Sequence, residues 1–498
     1  MTWVMKKRIH QIDLFRKYPH EVQSELFNNL LQTAKHTDWG RKYGYADITS
    51  PAQYRERVPV SAYEDLVPEI ERAMKGEAHV LWPGTISWFA KSSGTTNARS
   101  KFIPVSKEAL EDCHYKGGKD MLSIYANMNP DTQLFTGKAL SIGGSLHQNE
   151  GNANAQTGDV SAIIMQNLPI WAEAARTPPL KVALMDKWEE KIEAIAKVTI
   201  PENVTSLSGV PTWTYVLINR ILEITGKSNI LEVWPNLELF AHGAVAFGPY
   251  RQLFKNLIPS DSMHYLEIYN ASEGFFGIQD QPGTEDELLL MLDYGVYYEF
   301  IPADQFEADQ PQTIGLDAVE LNKNYALVIS TNAGLWRYKI GDTIRFTSLA
   351  PYRIKISGRT KHFINAFGEE VIIENAEAAV TRACDQTDAI ITNFTVAPVY
   401  FQGRSRGGHE WVIEFARQPK DLPKFEYILD QTLREINSDY DAKRQQDLAL
   451  QAPLIHVAPA GTFLKWLEQK GKLGGQHKVP RLSNSREHLE EILQLLHE

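Results

Sequence analysis

Cysteine is almost missing from this chain. Only Cys113 and Cys384 occur in 498 residues. Two distant thiols make neither a disulfide framework nor a zinc cluster, and they suit a reducing compartment. Long apolar runs are missing too: nothing approaches the roughly 18 apolar residues of a membrane span. The N-terminal stretch MTWVMKKRIHQIDLF is interrupted by charge and lacks the apolar core of a signal peptide. A soluble, cytoplasmic protein is expected. Nor is there an excess of positive charge, since 51 basic residues face 62 acidic ones and the formal charge is −11. A net acidic surface offers no electrostatic reason to bind nucleic acid or an anionic membrane, so any phosphate site must be a local arrangement. The 14 histidines never recur as His-x-x-x-His, which argues against a metal-dependent hydrolase of that type.

What is present is ordinary globular composition, 43% hydrophobic and 23% charged, in a chain too long for one compact core. A large domain plus a smaller one is expected. Up to about residue 75 the texture is helical, with Leu26, Leu30 and Ala34 at helical spacing and Pro59 and Pro68 as punctuation. The middle alternates short apolar runs with amphipathic stretches: Ala139–Ile142 and Leu237–Phe240 read as strands, and Trp188–Lys197 reads as a helix. That alternation is α/β. From Leu288 to Phe346 the pattern turns to strands, with Tyr325–Thr331, an Asn332–Ala333–Gly334 turn, then Leu335–Tyr338. The spacing predicts a boundary near Ser357–Lys361, giving domains over 1–357 and 358–498. In the second, Val396–Tyr400 and Trp411–Phe415 read as a hairpin. There, Phe425, Ile428, Leu429, Thr432, Leu433 and Ile436 share one helical face.

Five stretches carry chemistry. The first is Lys91-Ser92-Ser93-Gly94-Thr95-Thr96, followed by Ser100-Lys101. Small hydroxylic residues around a glycine let successive amides turn toward an anion, and Lys101 adds charge. No Gly-Lys-Ser/Thr closes the string, so it is not a P-loop; the bland alternative is a polar turn between strands. The second is Tyr269-Asn270-Ala271-Ser272-Glu273-Gly274. Its ring suits a base and its carboxylate suits magnesium, or else Ser272 is simply the N-cap of a strand-to-helix turn. The third, Gly334-Leu335-Trp336-Arg337-Tyr338-Lys339-Ile340-Gly341-Asp342, ends in a carboxylate able to accept both ribose hydroxyls, or in a plain turn aspartate. The fourth is Ser357-Gly358-Arg359-Thr360-Lys361, leading to Ile364–Glu369. The fifth is Gly474-Gly475-Gln476-His477-Lys478-Val479-Pro480-Arg481, whose glycines would let a loop move; read cold, Lys478 is a solvated loop lysine. Trp213, Phe247, Phe275 and Phe276 could line an apolar pocket or form core, and His147 and His242 could meet substrate or be structural.

In this order and spacing the segments resemble the auxin-responsive Gretchen Hagen family of acyl acid amido synthetases, a branch of the adenylate-forming superfamily of acyl-CoA synthetases and luciferase. The resemblance runs from AKHTDWGRKYGY, VPVSAYEDL and VLWPG through SSGTT, SGVPTW, YNASEG and AGLWRYKIGD to PAGTFLKWLEQKG and QHKVPR. It implies an α/β fold. The large N-terminal domain would hold mixed β-sheets with helices and a small β-barrel-like part, beside a smaller, mobile C-terminal α/β domain. It implies ATP and Mg2+ as cofactors, and two further partners: a small-molecule carboxylic acid and an amine or thiol acceptor. Residue by residue, Ser92, Ser93, Gly94, Thr95 and Thr96 match the phosphate loop, with Lys101 beside it. Tyr269, Ser272 and Glu273 match the second nucleotide motif, with Glu273 on the metal. Asp342 matches the ribose-binding aspartate. Arg359 matches a further nucleotide contact, Gly358 and Lys361 match the inter-domain hinge, and Lys478 matches the mobile catalytic lysine. Val210, Pro211, Thr212 and Trp213 lie where the family builds part of its acyl pocket.

The implied reaction is adenylation of a carboxylic acid with release of pyrophosphate, then transfer of the acyl group to an amine, typically an amino acid. The rivals are a thioester-forming ligase that uses the same adenylate on coenzyme A or a carrier protein, and a catalytically silent binding protein of the same fold.

Overall fold

The computed structural model describes residues 2–92, 101–149, 152–284, 286–306, 308, 310–360, 363–401, 406–470 and 479–496. Among them no helix is long and apolar enough to cross a membrane. Helices occupy the first 74 residues, as the periodicity predicts. Tyr63–Met74 buries Leu66, Ile70 and Ala73, and its N-terminus is tied by the Asp65 carboxylate, which accepts from the Ala62 amide at 2.8 Å.

An eleven-stranded sheet organises the large unit. Its spatial order is Val296–Pro302, Asn324–Thr331, Tyr338–Leu349, Tyr352–Arg359, Leu288–Leu290, Gly274–Ile278, His264–Ala271, Leu239–His242, Val204–Gly209, Lys138–Ser141 and Arg176–Thr177. From His264–Ala271 onward the pairing is parallel, with helices as crossovers; in the other direction it is antiparallel. The strand His264–Ala271 is therefore the seam between an α/β half and a hairpin-built half. A second sheet holds Trp88–Ser92 and Lys101–Val105 as an antiparallel pair, with Asn152–Gly158 and Leu146–Asn149 beside them.

The antiparallel half curls. Four strand steps separate His264–Ala271 from Tyr338–Leu349, which in a flat sheet is about 19 Å at about 4.8 Å per step. Yet the Tyr269 hydroxyl donates to Asp342 Oδ2 at 2.5 Å. Only a strongly coiled sheet lets these two side chains meet, so the barrel-like part expected from the resemblance is present. Gly334 and Gly341 hold left-handed backbone (φ 87° and 97°) where the chain enters the curl. At Gly334 a side chain would lie 2.7 Å from Leu81 Cβ.

Several stretches of the third motif turn out to be structural. Trp336 Nε1 donates to the Leu81 carbonyl at 3.0 Å, and the Ser61 amide to the Arg337 carbonyl at 2.9 Å. Buried Arg337 pairs with buried Glu299 (Nε to Oε2, 2.9 Å). Its remaining N–H groups reach Thr313 Oγ1 at 2.6 Å and the Arg55 and Val58 carbonyls at 3.0 and 2.5 Å. A buried ion pair is tolerable when its hydrogen bonds are this complete. The VPVSAYEDL, VLWPG and AGLWRYKIGD stretches thus lock to one another.

The C-terminal unit is a three-stranded sheet. Ile390–Val399 pairs antiparallel with Gly408–Arg417, the expected hairpin with longer arms, and Leu454–Ala458 adds in parallel. Helices Ile373–Thr387 and Leu422–Ile436 pack against each other. The latter is capped by Asp421, which accepts from the Lys424 amide at 3.0 Å, and it buries Phe425, Ile428, Leu429, Thr432 and Leu433 as the spacing predicts. This unit docks on the parallel half. Phe401 lies against Tyr215 (centroids 4.9 Å) and Tyr250 (6.0 Å), and the Tyr250 hydroxyl donates to the Ala366 carbonyl at 2.6 Å.

Removing one member of the Arg337–Glu299 pair strands the other charge in the core. Arg337→Met is expected to destabilise the protein by about 3–5 kcal/mol in urea unfolding. Adding Glu299→Leu should recover part of that loss. A single variant within about 0.5 kcal/mol of wild type would contradict the assignment.

Candidate active site

Open α/β sheets bind ligands outside the carboxyl ends of their parallel strands. Here those ends, at Ser141, Gly209, Ala241 and Asn270, open on one cavity of about 1380 Å3. It is large enough for a nucleotide and an organic acid together, and the C-terminal unit contributes part of its wall through Asn365, Gly368 and Lys443.

The second and third motifs meet in this wall. Ser272 and Glu273 form the turn of an antiparallel hairpin between His264–Ala271 and Gly274–Ile278, not the start of a helix, which removes the N-cap alternative. Asp342 sits inside the strand Tyr338–Leu349, opposite Arg359, rather than in a terminal turn. Arg359 Nε donates to Asp342 Oδ1 at 2.8 Å, and its Nη1 pairs with Glu370. The carboxylate of Asp342 is thereby fixed from two sides, by Tyr269 and by Arg359, with lone pairs still free to accept hydroxyls. Burial, with Asp342 beside it, pushes the Tyr269 phenol well above its ordinary range, so it stays a donor.

Lys101 and Glu273 form the second polar group. Lys101 is buried, its ammonium donates to the Tyr338 hydroxyl at 3.3 Å, and that hydroxyl lies 3.5 Å from Glu273 Oε1. Burial lowers the Lys101 ammonium while Glu273 opposes the shift; burial raises the Glu273 carboxyl while Lys101 opposes it. A carboxylate held at this cost is one that a cation would relieve. Among the described residues no three His, Cys, Asp or Glu side chains gather as a metal cage. Magnesium can bind through one or two carboxylates and take the rest of its shell from water and phosphate, and Glu273 is a carboxylate of that kind on the cavity wall.

Ser92 lines the cavity and pairs with Lys101 across the two strands. Ser93, Gly94, Thr95 and Thr96 lie outside the described residues, as do Lys361 and Lys478. Gly358 (φ 143°) and Arg359 belong to the paired strand, opposite Thr343 and Asp342, and Thr360 still donates to the Gly341 carbonyl at 2.9 Å. In this structure Gly358 and Arg359 are thus part of the large unit's sheet. Val210 and Trp213 line the cavity. Pro211 and Thr212 are buried in helix Pro211–Thr225 instead, where Thr212 Oγ1 bonds the Tyr250 hydroxyl at 2.9 Å, so half of that expected pocket wall is core. Phe247, Phe275 and Phe276 are core as well, and buried His242 stacks on Phe247 at 3.9 Å. His147 does face the cavity.

Other wall residues escaped the sequence reading. Trp188 stacks flat on Trp213 (3.8 Å, 2°), and Lys443 reaches over Trp213 at 5.8 Å while donating to the Gly368 carbonyl at 2.7 Å. Buried Lys191 donates to the Gly143 and Gly144 carbonyls at 2.7 and 2.9 Å, fixing a loop that lines the cavity; burial pulls its ammonium down to about 8. The signal was available, because Lys191 interrupts the apolar stripe Ile192, Ile195 and Ala196 on the helix Trp188–Thr199.

Glu267, on the seam strand, faces the cavity, and burial, reinforced by Asp286, pushes its carboxyl up to about 7. Folded protein holds this proton between about 4.5 and 7 and unfolded chain does not, so the group favours folding below that window and loses the advantage as pH rises through 7. Glu267→Gln removes the dependence. The variant should match wild-type stability at pH 4 and exceed it at pH 8, by at most about 3 kcal/mol. A difference that does not change with pH in thermal melts would contradict this.

Three consecutive family models cover the chain: the GH3 family N-terminal domain over 8–263, the central domain over 289–359 and the C-terminal domain over 374–487. An indole-3-acetic acid-amido synthetase, GH3.3 of Arabidopsis thaliana, is 24% identical across 92% of this chain and 89% of its own length. The jasmonoyl–L-amino acid synthetase JAR4 of Nicotiana attenuata is 22% identical across 95% of this chain and 92% of itself. In three dimensions the chain is similar to the GH3.15 acyl acid amido synthetase in complex with 2,4-DB (TM-score 0.61, 18% identity, 96% and 93% covered). It also shares its fold with a 2-hydroxyisobutyryl-CoA ligase (TM-score 0.58, 12% identity, 97% and 92% covered). With its three domain models matching in order over most of its length, this chain belongs to the GH3 family.

Proposed function

We propose that the protein adenylates a small carboxylic acid with ATP and transfers the acyl group to an amine, an amino acid in the first instance, forming an amide. The observation that supports it best is the meeting of Tyr269, Asp342 and Arg359 beside Lys101 and Glu273 on one cavity wall. The names of the curated relatives, synthetases joining acids to amino acids, favour the amine over a thiol.

A carboxylate is a poor nucleophile toward a polyanion, because like charges repel. The site must hold the acid in line with the α-phosphorus and offset the charge that develops, which is positioning and electrostatic stabilisation. In this reading Asp342, fixed by Tyr269 and Arg359, accepts the ribose hydroxyls. Ser92 with Ser93, Gly94, Thr95 and Thr96 cradles the departing phosphates, and Ser272 closes the hairpin side. Glu273 would hold magnesium, which supplies charge neutralisation on the phosphates. Attack by an acid oxygen on the α-phosphorus forms the acyl–phosphate anhydride as the bond to pyrophosphate breaks. The acceptor amine then adds to the acyl carbon, AMP leaves, and the amine proton passes to solvent or to a nearby base.

The small unit acts as a lid. Lys478 completes the charge around the α-phosphate in one orientation of that unit. Rotation about the chain beyond Thr360, Lys361 included, would break the Phe401 contacts with Tyr215 and Tyr250 and open a path for the acceptor. Hinges absorb such changes in a few residues.

Lys478→Ala should cut ATP–pyrophosphate exchange by roughly a hundredfold or more while nucleotide affinity changes little; exchange at the wild-type rate would remove Lys478 from the reaction. Asp342→Ala should weaken ATP binding by about tenfold, since hydrogen bonds to a charged group are worth about 1.5–3 kcal/mol, and an unchanged dissociation constant would refute the ribose contact. Offered preformed adenylate, an amino-acid panel should discharge it faster than coenzyme A does. The reverse preference would make the enzyme a thioester-forming ligase.

A further inference from the structure

One buried histidine takes no part in the account so far. His114 lies in a π-helical turn, Leu110–Tyr115, inserted between the helices Lys107–Ala109 and Lys116–Met128. Such turns recur at functional sites because the wider winding redirects side chains. This one is clamped beneath the Glu273 hairpin: the Phe275 amide donates to Cys113 Sγ at 3.1 Å, and any side chain at Gly117 would strike the Phe275 ring at 2.5 Å. The turn is therefore fixed against the hairpin expected to hold the nucleotide.

His114 is only 5% exposed, and it belongs to the cavity wall. Its Nδ1 is sealed in protein without a hydrogen-bond partner. Nε2 has no partner among the described residues either, but it is not among the sealed atoms, and since the residue lines the cavity Nε2 is the nitrogen able to face it. Burial alone pulls the imidazole down to about 4, so the ring is neutral at physiological pH. Its single proton has two possible homes. A buried orphan N–H is rarer than an orphan lone pair, which places the proton on Nε2 and leaves the sealed Nδ1 bare. The result is a neutral, rigid donor at the hairpin end of a slot whose walls include Met121, Leu122, Ile164, Met165 and Leu168. His242 shows the contrast, since its Nδ1 is equally orphaned but its ring stacks on Phe247.

We propose that His114 is a binding residue for the acid substrate, its Nε2–H donating to a carboxylate oxygen so that the acid's apolar body lies along the slot and its carboxylate faces the Glu273 hairpin. This rests on the adenylation reading for the identity of the acceptor atom, but not for the presence of the donor. A neutral donor suits the task. It orients the carboxylate without the full charge that would hold it back from the phosphorus, and it does not titrate where the enzyme works.

The test uses two variants of the full chain, H114L, which removes the donor, and H114Q, which keeps a side-chain N–H. ATP–pyrophosphate exchange is measured with indole-3-acetate, jasmonate, 2,4-DB and octanoate, and the acid that wild type uses best is carried forward. H114L should raise the KM for that acid at least tenfold and change the KM for ATP less than twofold, while H114Q stays within threefold of wild type for both. An unchanged acid KM in H114L would overturn the proposal, and so would parallel rises in the acid and ATP KM values, the mark of a general packing defect. A second measurement needs neither ATP nor acid: nitrogen NMR of histidine-labelled protein at pH 7, with His114 assigned by its loss in H114Q. The Nε2–H tautomer is expected, and an Nδ1–H tautomer or an imidazolium would overturn the proposal. If wild type exchanges with none of the four acids, the adenylation reading is what fails, and the His114 donor still stands or falls on its own signal.

Discussion

The short hydrogen bond from Tyr269 to Asp342 is the constraint on which the site depends. It joins side chains from strands four steps apart, and it can form only because the antiparallel half of the sheet coils back on itself. The seam strand His264–Ala271 is parallel to one neighbour and antiparallel to the other. It therefore carries its terminal residues both to the mouth of an α/β crevice and to the rim of the coil. Arg359 on the adjoining strand grips the other oxygen of Asp342. The carboxylate is pre-set before any ligand arrives, and little ordering is left for binding to supply.

Around that contact the cavity divides by chemistry. One wall holds charge in opposed groups, buried Lys101 with Glu273 and half-buried Arg359 with Asp342 and Glu370. The other is apolar and aromatic, with Trp188 stacked on Trp213. A nucleotide needs the first and an organic acid body the second, and their junction is where an acyl–phosphate bond would form. The C-terminal unit reaches the same cavity through Lys443, and beside it Phe401 packs on Tyr215 and Tyr250 in one continuous apolar cluster with the parallel half.

Much of this was legible in the sequence. The β-branched and aromatic run Tyr325–Thr331 gave a strand, and the face Phe425, Ile428, Leu429, Thr432 and Leu433 gave a helix, because residue type and spacing record local burial. The ordered motifs gave the family. What could not be read was anything that depends on how distant strands return to one another. The closeness of residues 269 and 342 is a property of sheet coiling. The same holds for Arg337, which sits inside a motif yet serves the core through Glu299, and for Pro211 and Thr212, which follow Val210 in sequence but turn into the helix that Tyr250 covers. The helix-cap alternative for Ser272 follows from the local signature of a serine before a glutamate, and it fails because the register with Gly274–Ile278 makes a hairpin. His114 gave no signal, since one histidine among apolar neighbours looks the same whether its ring nitrogen meets a cavity or a core.

The central claim is that separated stretches converge on one bound nucleotide. A crystal structure of the protein with a non-hydrolysable ATP analogue and magnesium tests it most directly. The account predicts ribose hydroxyls about 3 Å from the Asp342 carboxylate, with the metal on Glu273 and the phosphates running toward Ser92. A nucleotide bound away from the Tyr269–Asp342–Arg359 cluster, or one with its phosphates directed away from Glu273, would contradict it.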